Sequence, residues 1–184
     1  MKLTKALLAF TLLHYITACS YAPPSSPMCR IAKGQQEAPP ANAGCIVRVK
    51  KRILAITHFY SGKFDLPAGT SADSDESAQC TAHRETWEET GFNVEVGTLL
   101  GIADSGMHFF ACELDDDFDG LITEFPVPAW SETEVNAIRL INPFSTTPSE
   151  WRFPDQLIKI RDAFNKLGEI QSKHAKTKKA HESS

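Results

Sequence analysis

The feature that most constrains the fold is a loop that leads directly into a helix-forming segment. Residues 61–75 are rich in Gly, Ser, Pro and Asp, which favour turns. Residues 77–90 instead contain Ala, Gln, Glu and Arg, and Gly91 follows them as a typical C-terminal stop. We therefore predict a helix over residues 77–90, with Asp73 and Glu76 as a reciprocal capping pair at its start.

Three glutamates are crowded on one side of this predicted helix. Glu85, Glu88 and Glu89 are spaced i, i+3 and i+4, so their carboxylates lie within one turn and repel each other. Such a cluster is ordinarily a solvated acidic face, but a hard divalent cation would also compensate the repulsion, and Mg²⁺ is the natural candidate. Arg84 adjoins the cluster, where we expect it to pair with Glu76 or with a neighbouring glutamate.

The same residues form a recognisable motif. RETWEETGF at residues 84–92 matches the second half of the Nudix box, REUxEExGU, in which U is a bulky apolar residue. Upstream, Gly69 and Glu76 supply the glycine and the first glutamate of the box, and seven residues separate Glu76 from Arg84, as the pattern requires. LPAG at residues 66–69 also resembles the LPGG lead-in of that family. The chain therefore resembles the Nudix hydrolases.

The chain departs from the Nudix pattern at three points. Six residues lie between Gly69 and Glu76, where the usual box has five, so that Asp75 occupies the nominal glutamate position. Thr86 stands at a position that is normally aliphatic, and Ala68 replaces the first glycine of LPGG. None of these changes removes a side-chain ligand. Because loops absorb single insertions at low cost, we expect a small bulge and an intact site.

The resemblance implies a fold, a reaction and a set of site residues. The implied fold class is α/β, an α/β/α sandwich with a mixed sheet and the Nudix loop–helix–loop. The implied activity is Mg²⁺- or Mn²⁺-dependent hydrolysis of a phosphoanhydride bond in a nucleoside diphosphate linked to another moiety. The implied metal ligands are Glu85, Glu88, Glu89 and the backbone carbonyl of Ala68, with Glu85, Glu88 and Arg84 in the catalytic group and Gly69, Glu76 and Gly91 in structural or orienting roles.

A general base is expected from outside the box. Many family members place an acidic residue just before a strand that follows the pattern EhxxhxW, with h an apolar residue. The segment that begins at Glu134 fits this place, so Glu134 is the candidate base and Glu132 the reserve. A surface glutamate before a strand explains the pattern equally well. The acidic loop at residues 115–119 is expected to be solvated, with a second metal contact left open.

Other segments predict the sheet and a second helix. Residues 44–49 and 53–58 are β-rich runs separated by a polar turn, so they predict a hairpin. Further strands are predicted at residues 92–96, 99–103, 107–114 and 135–141, and a second helix from about residue 154 to residue 167.

Composition and motif leave more than one function open. The net charge of −4 gives no basic field for nucleic acid, so the expected partner is a small nucleotide derivative. The alternative is a non-catalytic envelope lipoprotein that uses the Nudix scaffold to bind a nucleotide-like ligand or a protein. A Nudix-type isomerase is a third reading, but nothing beyond the box points to isoprenoid chemistry. The substrate and the oligomeric state remain open.

The N-terminal residues read as an export signal. Lys2 and Lys5 precede an apolar run that is too short to span a bilayer, and ITAC at residues 16–19 resembles a bacterial lipobox. We therefore expect residues 1–18 to be a signal peptide and Cys19 to be lipidated, in the outer membrane with the domain in the periplasm. The alternative is a secreted soluble protein. The expected parts are a signal at 1–18, a flexible tether at 19–43, the domain at 44–167 and a flexible basic tail at 168–184.

Four further cysteines raise the question of disulfides. Cys29, Cys45, Cys80 and Cys112 allow three connectivities in an oxidising compartment. A bond between Cys29 and Cys45 is attractive because it would pin the tether to the first strand. Buried free thiols at Cys80 and Cys112 are the alternative.

Overall fold

The computed structural model describes residues 24–114 and 120–182. The signal segment, Cys19 and the acidic loop at 115–119 lie outside these ranges, so the predictions made for them stay predictions. The described strands are β1 (Ala43–Val49), β2 (Arg52–His58), β3 (Phe64–Asp65), β4 (Ala68–Gly69), β5 (Glu95–Ile102), β6 (His108–Glu113), β7 (Glu124–Phe125) and β8 (Val135–Ile141). The helices are α1 (Ala78–Thr90) and α2 (Leu157–Glu182), and short 3-10 turns precede α2.

The strands form one mixed sheet. Its order is β5-β6-β1-β2-β8-β7, with β3 beside β2 and β4 beside β1. The pairing of β1 with β6 is parallel and the other pairings are antiparallel. The predicted β1–β2 hairpin is confirmed, and Lys50 in its turn has a positive φ of 56°. The antiparallel pairing of β4 on β1 brings the LPAG segment to the sheet.

Helices cover both faces of the sheet. Along β1, Cys45 and Val47 enter the core on the α1 side, whereas Ile46 enters the core on the α2 side. This alternation is the period of two expected for a strand that is buried on both faces. Ala78 and Ala82 of α1 close the first core, and Leu157 and Ile160 of α2 belong to the second. The predicted α/β/α sandwich is confirmed.

Helix α1 begins and ends close to its predicted limits, but its cap is different. Ser77 is the N-cap residue, and its side chain accepts a hydrogen bond from the Cys80 N–H. Gly91 ends the helix at a φ of 74°, a left-handed conformation that favours glycine. Only half of the predicted capping pair forms, and it forms in the loop: the Glu76 N–H donates to Asp73 Oδ1 at 2.9 Å, but the Glu76 carboxylate accepts from the Ala72 N–H instead of the Asp73 N–H.

Two other predicted boundaries differ from the structure. The segments 92–96 and 99–103 were predicted as separate strands, but β5 is one strand. Its register against β6 shifts twice, between Val96 and Leu99 and between Leu99 and Gly101. Residues 168–182 of the predicted flexible tail are helical, since α2 continues to Glu182. Residues 157–167 pack on the sheet and nucleate the helix, so the Lys- and Ala-rich residues that follow extend it at low cost. Neither helix in the described ranges combines the length and apolar character needed to cross a membrane.

The second half of the predicted tether is fastened to the domain. Val96 exchanges backbone hydrogen bonds with this segment, donating to the Arg30 carbonyl and accepting from the Ala32 N–H, both at 2.9 Å. Gln79 of α1 fixes it again, since its side chain accepts from the Ala38 N–H at 2.8 Å and donates to the Gln36 carbonyl at 2.7 Å. Proline-rich composition predicted flexibility here, but these hydrogen bonds stabilise one conformation.

The disulfides join different cysteines from the pair favoured by sequence. Cys29 is bonded to Cys80 at the start of α1, and Cys45 is bonded to Cys112. The predicted Cys29–Cys45 bond is therefore wrong. Cys45 and Cys112 lie on the parallel neighbours β1 and β6 with Cα atoms 5.5 Å apart, a neighbourhood set by sheet order. The alternative of free thiols at Cys80 and Cys112 is also excluded by this pairing.

Candidate active site

Arg84 is the centre of an ion-pair network on α1. Its Nε donates to Glu76 Oε1 at 2.8 Å, while its Nη1 donates to Glu85 Oε1 at 2.7 Å and to Glu88 Oε2 at 2.9 Å. Its Nη2 donates to the Thr70 carbonyl at 2.7 Å. The guanidinium is therefore satisfied in its plane on three sides, which fixes two of the clustered glutamates relative to the loop. Both partners predicted for Arg84 are present at once.

Glu76 holds the loop that carries the extra residue. Its Oε2 accepts from the Ala72 N–H at 2.7 Å and from the Thr81 hydroxyl at 3.0 Å. Burial raises the pKa of Glu76, but the hydrogen bonds from Arg84 and Ala72 outweigh burial, so the pKa lies below its ordinary value. The longer loop closes within itself and leaves Glu76 in contact with Arg84.

Glu89 is half-buried and contacts the segment that precedes the loop. Its Oε2 accepts from the Ala68 N–H at 2.9 Å. Burial raises the pKa of Glu89 well above its ordinary value, and the negative charges of Asp65, Glu85 and Glu134 raise it further. A buried carboxylate among other carboxylates favours either a proton or a bound cation.

The Glu85 carboxylate packs against Gly69, and this contact is possible because residue 69 has no side chain. A Cβ atom on Gly69 would overlap the Glu85 carboxylate. Burial raises the pKa of Glu85, although Arg84 acts in the opposite direction. Gly69 thus leaves the space that this carboxylate occupies.

Glu85, Glu88 and Glu89 are the type of ligand that a divalent cation prefers, but their oxygen atoms do not converge on one point. Among residues 24–114 and 120–182, no three His, Cys, Asp or Glu side chains are grouped as metal ligands. Arg84 engages Glu85 and Glu88, and the Ala68 N–H engages Glu89. All of the candidate donors are oxygen atoms, which suit Mg²⁺ or Mn²⁺. The crowding of Glu89 by the charges of Asp65 and Glu85 fits such an ion.

Glu134 lies beside this cluster, directly before β8. Its side chain is exposed, and its charge acts on both Glu89 and His58. Its backbone carbonyl accepts from the Phe59 N–H at 2.8 Å, which fixes its place next to the turn after β2. The charge of the candidate base therefore acts on one of the three glutamates, Glu89. Glu132 is also exposed.

Comparison with known proteins identifies the family. A family model described as the NUDIX domain matches residues 38–140. The chain belongs to the Nudix family. This Nudix protein is 34% identical over 113 residues to a MutT-like protein of Streptomyces ambofaciens, which covers 54% of this chain and 73% of the relative. The prediction of an enzyme of the pyrophosphohydrolase class is confirmed at the level of the family.

Solved structures share the Nudix fold. An ADP-ribose pyrophosphatase of Streptococcus suis matches with a TM-score of 0.53 and 19% identity, over 70% of this chain and 91% of that one. A UDP-X diphosphatase matches with a TM-score of 0.56 and 15% identity, over 74% of this chain and 66% of that one. At these identities the likeness shows the fold alone.

The Nudix helix accommodates Thr86, which stands at a normally aliphatic position, because the threonine hydroxyl has a hydrogen-bond partner. The side chain is fully buried, and its hydroxyl donates to the Ala82 carbonyl one turn back at 2.7 Å. A buried hydroxyl is costly only when it lacks a partner. The departure at Thr86 therefore leaves the helix and its glutamates in place.

Sequence reasoning missed a clamp on the C-terminal end of the Nudix helix. The Trp130 Nε1–H donates to the Glu88 carbonyl at 3.0 Å, and the Ser131 hydroxyl donates to the Glu89 carbonyl at 3.2 Å. The Trp130 ring also stacks on Trp87 with centroids 5.9 Å apart. These bonds satisfy carbonyls that the last turn of a helix leaves without partners. These two hydrogen bonds thereby fix the backbone of Glu88 and Glu89.

Sequence reasoning also missed a buried carboxylate beside the Nudix box. Asp65 immediately precedes the LPAG segment, and its side chain is 15% exposed. Burial raises the pKa of Asp65 to about 6, although the Leu66 N–H and Arg152 act to lower it. Its partner Arg152 lies 87 residues further along the chain. In the sequence, the only indication that Asp65 belongs to the site is its position directly before LPAG.

Proposed function

We propose that this Nudix protein hydrolyses a phosphoanhydride bond in a nucleoside diphosphate linked to another moiety, with Mg²⁺ or Mn²⁺. The observation that carries the proposal is the meeting of the Glu85 and Glu88 carboxylates at one nitrogen of Arg84. Glu89 is half-buried on the same helix. Together these residues form a dense group of oxygen donors, the ligand type that a divalent cation at a pyrophosphate-cleaving site requires.

The cation would be held by residues of the loop–helix–loop. Glu85, Glu88 and Glu89 would supply carboxylate oxygens, and Ala68 would supply its backbone carbonyl. When bound, the cation supplies neutralisation of phosphate charge and a lowered pKa for water. Arg84 and Glu76 orient the carboxylates through the network described above. Gly69 leaves room for the carboxylate of Glu85.

Glu134 is proposed to take the proton of the attacking water. As the water oxygen bonds to phosphorus, the bond from that phosphorus to the bridging oxygen breaks, and its electron pair stays on the bridging oxygen of the departing phosphate monoester. The proton passes to the Glu134 carboxylate, which is exposed to solvent and whose charge acts on Glu89. The products are a nucleoside monophosphate and the phosphorylated second moiety.

The test is metal-dependent product release from a panel of nucleoside diphosphate derivatives. The purified chain should release nucleoside monophosphate only with Mg²⁺ or Mn²⁺, and Glu88→Gln should abolish release. Glu169→Gln, which changes an exposed glutamate on α2, is the matched control and should leave turnover unchanged. If the folded chain binds nucleotide without turning any over, the non-catalytic binding module takes the place of the hydrolase.

The proposed location is the bacterial envelope, with a lipid on Cys19 and the domain in the periplasm. Two disulfides support an oxidising compartment, since such bonds are rare in reducing cytosol. Mass spectrometry of the mature N-terminus tests this: a diacylglyceryl-modified Cys19 supports the anchor. An unmodified N-terminus after that region supports the secreted soluble form.

A further inference from the structure

The second half of α2 is exposed and strongly basic. Every side chain from residue 172 to residue 180 is exposed, and the sequence has no Asp or Glu between Glu169 and Glu182. Lys173, Lys176 and Lys179 recur every third residue, so they follow one side of the helix. Clusters of about four to eight basic residues on a helix are typical of segments that bind anionic lipid.

Arg48 adds a further positive charge beside these lysines. Its Nη1 donates to Gln171 Oε1 at 2.8 Å, and Gln171 Nε2 donates to the Arg48 carbonyl at 3.3 Å. The guanidinium packs against Gly168, where a Cβ atom would lie 2.9 Å from Arg48 Cζ. The end of β1 is therefore fixed to the start of the basic stretch of α2. The basic surface consists of Arg48, Lys173, Lys176 and Lys179.

A groove of about 590 Å³ lies within the basic surface. Arg48, Lys173 and Lys176 contribute three positive charges to this groove, and Glu169 contributes one negative charge. Charged N–H groups form strong hydrogen bonds with anionic oxygen atoms. The groove therefore suits a phosphate group.

Glu95 and Glu113 lie on the other side of α2 from this groove. They line a separate cavity that also includes His174. His174 is two positions from both Ser172 and Lys176, which line the groove, and two positions are about half a turn of helix. The helix therefore separates these two carboxylates from the basic surface.

The basic surface is remote from the candidate active site. β1 begins at Ala43 and Gly44, which pair with Gly69 and Ala68 beside the glutamate cluster, and Arg48 lies near its other end. The distance from Ala43 to Arg48 is about 16 Å along a strand. A partner at the basic surface would therefore leave the glutamate cluster accessible.

The N-terminal segment brings the proposed anchor to this part of the domain. Ala32 and Lys33 line a cavity together with Ile170 and His174 of α2. The chain from Cys19 to Ala32 spans at most about 45 Å when it is fully extended. The lipid proposed on Cys19 would therefore keep the second half of α2 close to a membrane.

We propose that the basic surface docks on the anionic phospholipids of a membrane. The lysines contact headgroup phosphates, and the groove at Arg48 accepts one of them. Stable attachment to a membrane usually combines a lipid chain with a basic patch, so this contact complements the proposed anchor. The docking surface does not depend on hydrolysis, so either proposal can fail without the other.

The test is partition of the purified full chain onto vesicles of phosphatidylglycerol or of phosphatidylcholine. Lys173→Gln with Lys176→Gln should weaken binding to phosphatidylglycerol about 25-fold, because each lysine near an anionic surface contributes roughly fivefold. Lys63→Gln with Lys159→Gln is the matched control, because it removes the same charge from exposed lysines toward the opposite end of the sheet. The control should bind like the wild type. Every variant keeps the same N-terminal segment, so the contribution of that segment is equal in each comparison.

Further measurements separate charge contact from other causes. Binding to phosphatidylglycerol should fall at high NaCl concentration, and Lys173→Glu with Lys176→Glu should bind more weakly than the glutamine variant. Far-UV circular dichroism verifies that α2 is retained. Equal losses in the two glutamine variants, or no loss in Lys173→Gln with Lys176→Gln, would overturn the proposal. Tighter binding to duplex DNA than to the vesicles, lost in the same variant, would also overturn it and assign the surface to nucleic acid.

Discussion

Gly69 and Glu85 are in direct contact, and the contact requires that residue 69 have no side chain. A Cβ atom there would overlap all three heavy atoms at the end of the Glu85 side chain. Glu85 is also bonded to Arg84, so it has little freedom to withdraw. The box therefore requires glycine at residue 69 because any side chain would overlap Glu85. A left-handed backbone is not the reason, since the φ of Gly69 is not positive.

Gly69→Ala is expected to disturb the site without unfolding the protein. The methyl group displaces the Glu85 carboxylate, so activity should fall by roughly a hundredfold or more, as small misplacements near reacting groups do. Steady-state kinetics with titrated Mg²⁺, together with thermal unfolding, measure both effects. Gly101→Ala is the control, because a Cβ atom there has no described atom within 4 Å. Equal activity in the two variants would contradict the assigned role of Gly69.

Glu134→Gln is expected to lower kcat and leave the fold intact. Removal of a general base typically costs about 10²- to 10⁴-fold in rate, and the side chain is exposed, so its loss should not destabilise the chain. Glu132→Gln changes an exposed glutamate two residues away and serves as the matched control. Rapid-quench measurement of the chemical step compares the two. A larger loss in Glu132→Gln would transfer the role to that residue.

Asp65 should make the stability of the metal-free protein depend on pH. The pKa of Asp65 rises from 3.8 to about 6 on folding, so between these values the folded state binds more protons than the unfolded state. The free energy of unfolding therefore falls as the pH rises through this window, by about 3 kcal/mol for this group. Urea unfolding in EDTA from pH 4 to pH 7 should show Asp65→Asn gaining stability relative to the wild type. A constant difference across the window would contradict the shift.

Both disulfides should contribute substantially to stability. They close segments with sequence separations of 51 and 67 residues, each worth about 4 kcal/mol on the chain-entropy model. The half-buried pair is the cleaner test, so Cys29→Ala with Cys80→Ala should lower the free energy of unfolding by about 2–4 kcal/mol. Peptide mapping without reduction verifies the pairing. A peptide that joins Cys29 to Cys45 would contradict it.

The features of the site that could be predicted from the sequence are contacts between residues that lie close together along the chain. The helix over residues 78–90, its end at Gly91 and the contacts of Arg84 with Glu76 and Glu88 all follow from neighbours within two or three helical turns. The hairpin of β1 and β2 follows in the same way from two β-rich runs and a polar turn. Hydrophobic period and helix signals are sufficient for such contacts.

The parts that sequence missed depend on which distant segments the sheet brings together. Trp130 reaches Glu88 across 42 residues, and Arg152 reaches Asp65 across 87 residues. The Cys45–Cys112 bond depends on the parallel pairing of β1 with β6, and no local pattern encodes that order. Asp73 was misassigned for a different reason, because its carboxylate serves the loop and Ser77 serves the helix.

The clamp of Trp130 and Ser131 on the end of α1 connects the segment that carries Glu134 to the helix that carries Glu88 and Glu89. These residues hold the backbone of Glu88 and Glu89, and Glu134 follows only three residues after Ser131. The proposed proton acceptor therefore lies on a segment that is hydrogen-bonded to the backbone of the proposed cation ligands. The entropy of ordering this segment is lost when the chain folds, and not when a substrate binds.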